Sequence, residues 1–239
     1  MKDNRYTLRA LARLLAYPDA SLREELAYLP SALDEEAALS AARRTELKVL
    51  VHELLRMEPI EAESRYVETF DRGRATSLHL FEHVHGDSRD RGPAMIDLAQ
   101  TYDKAGLQLS ADELPDHLCV VLEFASTQPA AIARDFLGEV AHILNAVFSA
   151  LLKRESPYAS VLAAVLELAG QSAQAVPFVA DEPIDDSWQE PEAFDGCSSR
   201  GQSRPGEPQP VHIVRRSASA KSSATPSAKP SSLSSGAQA

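Results

Sequence analysis

The chain has 239 residues, 44% of them hydrophobic but only 6% aromatic, a length that suits one large domain or two small ones. β-branched and aromatic residues are thin through residue 176, which argues against an all-β fold, and two cysteines, Cys119 and Cys197, exclude a disulfide framework or a four-cysteine zinc site. The net charge of −11 divides into −16 over residues 1–197 and +5 over 198–239, so the body suits a basic peptide better than nucleic acid.

Leu8, Leu11 and Leu15 recur at helical spacing behind Asp3 and Asn4 and ahead of Pro18, predicting a first helix. Asp19 is placed to cap a second, carrying Leu22, Leu26 and Leu29 and stopped by Pro30. Leu47, Leu50, Val51 and Leu54 form a third stripe. Pro59 sits at the favoured first position of a fourth helix, with Ala62, Tyr66 and Phe70 four residues apart. Residues 71–93 break the periodicity and are expected as a long loop, a kind of segment that tends to be functional. Residues 94–105 predict a helix with Ile96, Leu98, Ala99 and Tyr102, ended by Gly106. Ser110 to Glu113 has the capping-box pattern, with Leu109 and Leu114 as a staple and Pro115 restarting the helix. Ile132, Phe136, Val140, Ile143, Val147 and Leu151 keep one face through a long helix. Ser156-Pro157 opens the last, with Val161, Leu162, Val165 and Leu168. No stretch alternates with period two for long, and no repeat of 20–50 residues occurs. The expectation for residues 1–176 is all-α: a single helical bundle of about eight helices.

Proline marks a border, with seven in residues 1–176 and eight in 177–239. Residues 217–239 hold nine Ser and six Ala, a composition that buries too little apolar surface to offset its ordering entropy. Residues 177–197 are expected to be a partly ordered extension, and 198–239 a disordered basic tail. No run of 18 apolar residues exists, and Met1 to Arg5 has no apolar stretch before charges resume, so the protein is expected to be cytoplasmic.

Three of the seven histidines, His79, His83 and His85, fall in segment 71–93. His79 and His83 at i, i+4 would share a helix face, where Glu82 or Asp87 could complete a metal set; that supports an alternative, a metal-dependent helical hydrolase. No H-E-x-x-H accompanies them, and the structural reading of these histidines, with no metal, is preferred. Asp116 and His117 form a carboxylate–imidazole neighbour pair without an identifiable nucleophile. Glu123, between Leu122 and Phe124, is a solvated helix position or a buried anchor. Phosphate-binding glycine loops and the G-x-S-x-G elbow are missing, so no motif supports an enzyme.

Tyr66-Val67-Glu68-Thr69-Phe70-Asp71-Arg72, followed by the run Ser77 to Gly92 (SLHLFEHVHGDSRDRG), closely resembles the NarJ group of nitrate reductase assembly chaperones. Leu114-Pro115-Asp116-His117-Leu118 with Leu122-Glu123-Phe124 is similar to the P-D-[HY]-L…L-E-F signature of the wider TorD-like family, and the resemblance covers roughly residues 5–195. It implies an all-helical, non-enzymatic, dedicated chaperone. Such a protein binds the N-terminal segment of the apo nitrate reductase α subunit and holds it for insertion of a bis-molybdopterin guanine dinucleotide before membrane docking. The cofactor belongs to the client, and neither nucleic acid nor membrane insertion is implied. Candidate client-facing residues are Tyr66, Phe70, Asp71, Phe81, Glu82, Asp116, His117 and Glu123. A generic helical adaptor is the other alternative.

Overall fold

A computed structural model describes residues 3–86 and 88–176, all within one compact unit, Met1–Ser187. A second unit, Trp188–Ala239, and the expectations for 177–197 and 198–239 lie outside the described residues. In chain order the helices are α1 (Arg5–Leu14), α2 (Ala20–Leu26), α3 (Leu29–Glu36), α4 (Ala41–Arg56), α5 (Pro59–Phe70), α6 (Leu80–His85), α7 (Arg91–Lys104), α8 (Leu118–Thr127), α9 (Ala130–Glu139), α10 (Ala141–Lys153) and α11 (Ala159–Leu168). A 3-10 turn, Arg74–Thr76, precedes α6. No strand forms among the described residues, and the all-α expectation holds.

The bundle is organised around α11. Val161 through Leu166 are all buried, so this helix is apolar on every side and needs neighbours on every side. It meets α1, α4, α9 and α10. α1 buries Leu8, Leu11 and Leu14 and lies against α3 and α8, whose Leu118, Val121, Leu122 and Ala125 are buried in the same core. Fully burying each such leucine contributes roughly 1.5–3 kcal/mol.

Helix ends are satisfied partly by local and partly by distant groups. Asp19 accepts from the Leu22 N–H at 2.8 Å, as its position in the sequence implies. Asn4 makes no side-chain cap; instead Glu36, at the end of α3, accepts from the N–H groups of Tyr6 at 3.1 Å and Thr7 at 2.7 Å. A carboxylate there also meets the positive end of the α1 dipole. At the other polarity, the Arg23 guanidinium donates to the carbonyls of Leu54 at 3.1 Å and Met57 at 2.8 Å, closing α4.

Four expectations are corrected. Pro30 does not end the second helix; it sits in the first turn of α3, where its missing N–H costs nothing. The long helix over 132–151 breaks at Val140 (φ −98°, ψ 7°) into α9 and α10, bent by 69°. Ser110 and Glu113 form half a capping box, Glu113 accepting from the Ser110 N–H at 3.2 Å, but no helix follows. Pro115 opens a turn instead, the His117 N–H donating to the Leu114 carbonyl at 3.1 Å, and the bridge at His117 follows before α8 begins. Segment 71–93 is not one loop, since it contains the 3-10 turn, α6 and the start of α7. Among the described residues the helix count is therefore eleven rather than about eight. No single helix among the described residues is long and apolar enough to cross a membrane.

Candidate functional site

The segments that break helical periodicity meet each other. The Leu80 N–H donates to the Asp116 carbonyl at 3.0 Å, and the Leu118 N–H donates to the Leu78 carbonyl at 2.8 Å. This isolated antiparallel bridge pairs His79 with His117. It places the Asp116 carboxylate, with 0% of the residue exposed, beneath the first turn of α6. There one oxygen accepts from the Phe81 N–H at 3.1 Å and the other faces His79 Nδ1 at 3.4 Å. Arg91 Nη2, from α7, lies 3.7 Å from Asp116 and 3.4 Å from Glu82. Glu82 also accepts from the Ser77 hydroxyl at 2.6 Å. His83 Nε2 lies 2.9 Å from the Ser77 carbonyl, so that nitrogen carries a proton. Tyr102 holds the turn before the bridge, its hydroxyl donating to the Pro115 carbonyl at 2.8 Å.

The electrostatics follow from this geometry. The hydrogen bond to Asp116 raises the His79 pKa above its ordinary value, against the opposing effect of burial. Burial pushes the Asp116 carboxyl upward, but His79, the Phe81 N–H and Arg91 outweigh it and hold the carboxyl below its usual range. His117, whose ring meets that of His79 edge-on at 4.9 Å, is lowered by burial and then by the His79 charge. The pair is therefore asymmetric: His79 favours the cation and His117 the neutral ring.

Two clefts flank the junction. One, of about 370 Å³, is polar and includes Phe70, Asp71, Ser77, His79, Glu82 and Arg91 in its lining. The other, of about 380 Å³, is a more apolar groove formed by α1, α8 and the chain after α7. Tyr102, Leu107, Leu109, Val120 and Phe124 line it, together with Glu113, Glu123, Arg9 and Arg13. Burial raises the Glu123 pKa, the Glu113 charge adds to the rise, and Arg13 and Arg9 oppose it. The Cys119 thiol, facing neither cleft lining, is pushed up to about 12 by burial, with Glu123 contributing.

The eight candidates are thus divided. Asp71 and Glu82 line the polar cleft, with Phe70 contributing to its wall. Asp116 and His117 form the bridge behind it, and Phe81, half-buried on α6, stacks edge-on against His85. Glu123 alone lies in the apolar groove. Tyr66 and Phe70 are 7% and 5% exposed and belong to an aromatic cluster with Tyr17 and Tyr158. The Tyr66 hydroxyl donates to the Leu15 carbonyl at 2.8 Å. Sequence reasoning missed Ser77, Arg91 and Tyr102 as parts of the junction, and Arg9 and Arg13 as parts of the groove. Arg91 stood in a mixed-charge run, but nothing in residues 5–14 signals a groove. Among the described residues, no three His, Cys, Asp or Glu side chains gather as a metal set. His79 Nδ1 faces Asp116 and His83 Nε2 the Ser77 carbonyl.

The described residues define an all-helical single bundle, with half-buried His79 and His117 bridged over the buried Asp116 between two clefts. The chain belongs to the nitrate reductase delta subunit family, whose model matches residues 32–164, a span that contains the whole bridge. It is 42% identical over 188 residues to the nitrate reductase molybdenum cofactor assembly chaperone NarJ of Escherichia coli K12, covering 77% of this chain and 78% of that protein. NarW of the same organism, named a probable nitrate reductase molybdenum cofactor assembly chaperone, is 42% identical over 167 residues, 69% of this chain and 68% of that one. The Bacillus subtilis NarJ is 30% identical over 164 residues, 69% of this chain and 88% of its own. A solved chain from Archaeoglobus fulgidus, described as a redox enzyme maturation protein, aligns at TM-score 0.49 and 20% identity over 70% of this chain and 94% of that one.

Proposed function

We propose that the protein is a dedicated, cytoplasmic assembly chaperone for respiratory nitrate reductase. It binds the N-terminal segment of the apo α subunit and keeps the subunit competent for insertion of the molybdenum cofactor, which belongs to the client. The observation that carries this reading is the 42% identity to NarJ across 78% of that chaperone's length. The apolar groove supports it physically. An amphipathic helix lays its apolar face into such a cleft, and Glu113 and Glu123 at the rim offer carboxylates to basic residues of the incoming segment. Of the candidates, Asp71, Phe81, Glu82, His117 and Glu123 are assigned to client contact. Tyr66, Phe70 and Asp116 are assigned to holding those residues in place.

The test is co-purification from cells that express the nitrate reductase subunits, with mass spectrometry of the bound material. The parent should recover the apo α subunit. The double change Leu107→Glu with Leu109→Glu, both in the chain after α7, should lose it while the protein stays folded. Recovery of many unrelated proteins, or of no nitrate reductase subunit, would contradict the reading.

A further inference from the structure

A third cleft, of about 510 Å³, opens between the end of α5 and the turn joining α10 to α11, and shares no lining residue with the other two. Three guanidinium groups border it, Arg65, Arg72 and Arg154, with Glu68, Glu155 and Ser156. Some arginines of this acidic body meet carboxylates, Arg13 with Glu25 at 2.7 Å, Arg44 with Asp34 at 2.9 Å and Arg91 with Glu82 at 3.4 Å, while Arg23 is spent on backbone carbonyls. Here no ion pair within 4.0 Å forms between the three arginines and either glutamate, although all five residues are described. Three like charges at one cleft repel one another, and an anion between them relieves that repulsion.

One of the three is fixed in advance. Arg154 Nη1 donates to the carbonyls of Glu68 at 3.3 Å and Thr69 at 3.2 Å, in the last turn of α5. Gly73, at φ +154°, lets the backbone come close: a Cβ there would stand 3.2 Å from Arg154 Nη2. An arginine held this way loses little side-chain entropy on binding, and its remaining N–H groups stay available.

We propose that this cleft binds a small molecule bearing a diphosphate group. Guanidinium forks match phosphate oxygens two by two, three forks exceed what a single phosphate needs, and the Ser156 hydroxyl adds a donor on the same wall. Glu68 and Glu155 leave the lining with one net positive charge, so binding depends on the directional arginine contacts more than on bulk field. The inference stands apart from the client reading, and either can fail alone.

The test is calorimetric titration of the full chain with inorganic phosphate, pyrophosphate and adenosine diphosphate at low salt. Pyrophosphate should bind at one site and at least about tenfold more tightly than phosphate. Equal affinity for adenosine diphosphate would assign the site to the diphosphate alone; tighter binding would assign it to a nucleotide-like carrier. Arg154 also closes α5, so the deciding variant is Arg65→Gln with Arg72→Gln, which leaves that cap intact. Its melting temperature should match the parent, and its pyrophosphate affinity should fall about tenfold or more. Absence of binding at millimolar pyrophosphate, binding unchanged in the double variant, or binding only of an acidic peptide would overturn the proposal.

Discussion

Asp116 does its work through three partners at once: an α6 N–H, a histidine and an arginine. Removing the carboxylate in Asp116→Ala leaves those donors unanswered in a buried place and should cost about 3 kcal/mol, read by chemical denaturation. Asp116→Asn keeps an acceptor for Phe81 but not the charge, and should cost less. The pH dependence is set by two opposite shifts. His79 is raised above 6.5, so its contribution is complete below that value and fades as pH climbs through the raised value. Asp116 is lowered below 3.8, so its contribution is complete above that value and fades as pH falls through the lowered one. The stability gap between the parent and His79→Gln should therefore be widest between about pH 4 and 6.5 and narrow on the alkaline side. A gap that widens toward alkaline pH would show the pair assigned the wrong way round. Cys119, with its thiol pushed up to about 12, should escape alkylation at neutral pH when modified peptides are mapped by mass spectrometry.

Two glycines separate conformational freedom from space at the level of helices. Gly138 lies in the last turn of α9, and an added Cβ would meet nothing within 4 Å. Gly138→Ala should stabilise by about 0.5–1 kcal/mol, since alanine limits the unfolded chain and suits a helix. Gly170 follows α11 at φ +72°, and a Cβ there would stand 2.3 Å from Arg134 Nη2. Gly170→Ala should destabilise by about 1 kcal/mol or more, and thermal melts of the two variants should move in opposite directions. The same contrast between near and far explains what the sequence could reveal. The Asp19 cap and the Pro59 start are legible because each acts within three residues. The Glu36 cap on α1 is illegible because its partner lies 29 residues away. The 69° break at Val140 is hidden because the apolar stripe continues across it and only tertiary contacts reveal the turn. At the site, the P-D-H run marks the bridge in sequence, yet its pairing with Leu78 and Leu80 across segment 71–93 is a long-range event that no local pattern encodes.

For the molecule as a whole, we propose that an acidic helical body recognises a basic amphipathic segment of its client. Residues 1–197 carry −16, a field that steers a cationic peptide and acts on association more than on dissociation. Raising salt should accordingly slow binding far more than it speeds release, as followed by stopped-flow fluorescence. The most direct measurement is calorimetric titration of the full chain with a synthetic peptide of about the first fifteen residues of the nitrate reductase α subunit. One binding site is expected, with a loss of about 1–3 kcal/mol for each well-packed apolar anchor truncated in the peptide and weakened binding in the folded Leu107→Glu, Leu109→Glu variant. A folded parent that takes up no such peptide, or a groove variant that binds it as well as the parent does, would rule out recognition of the client through this groove.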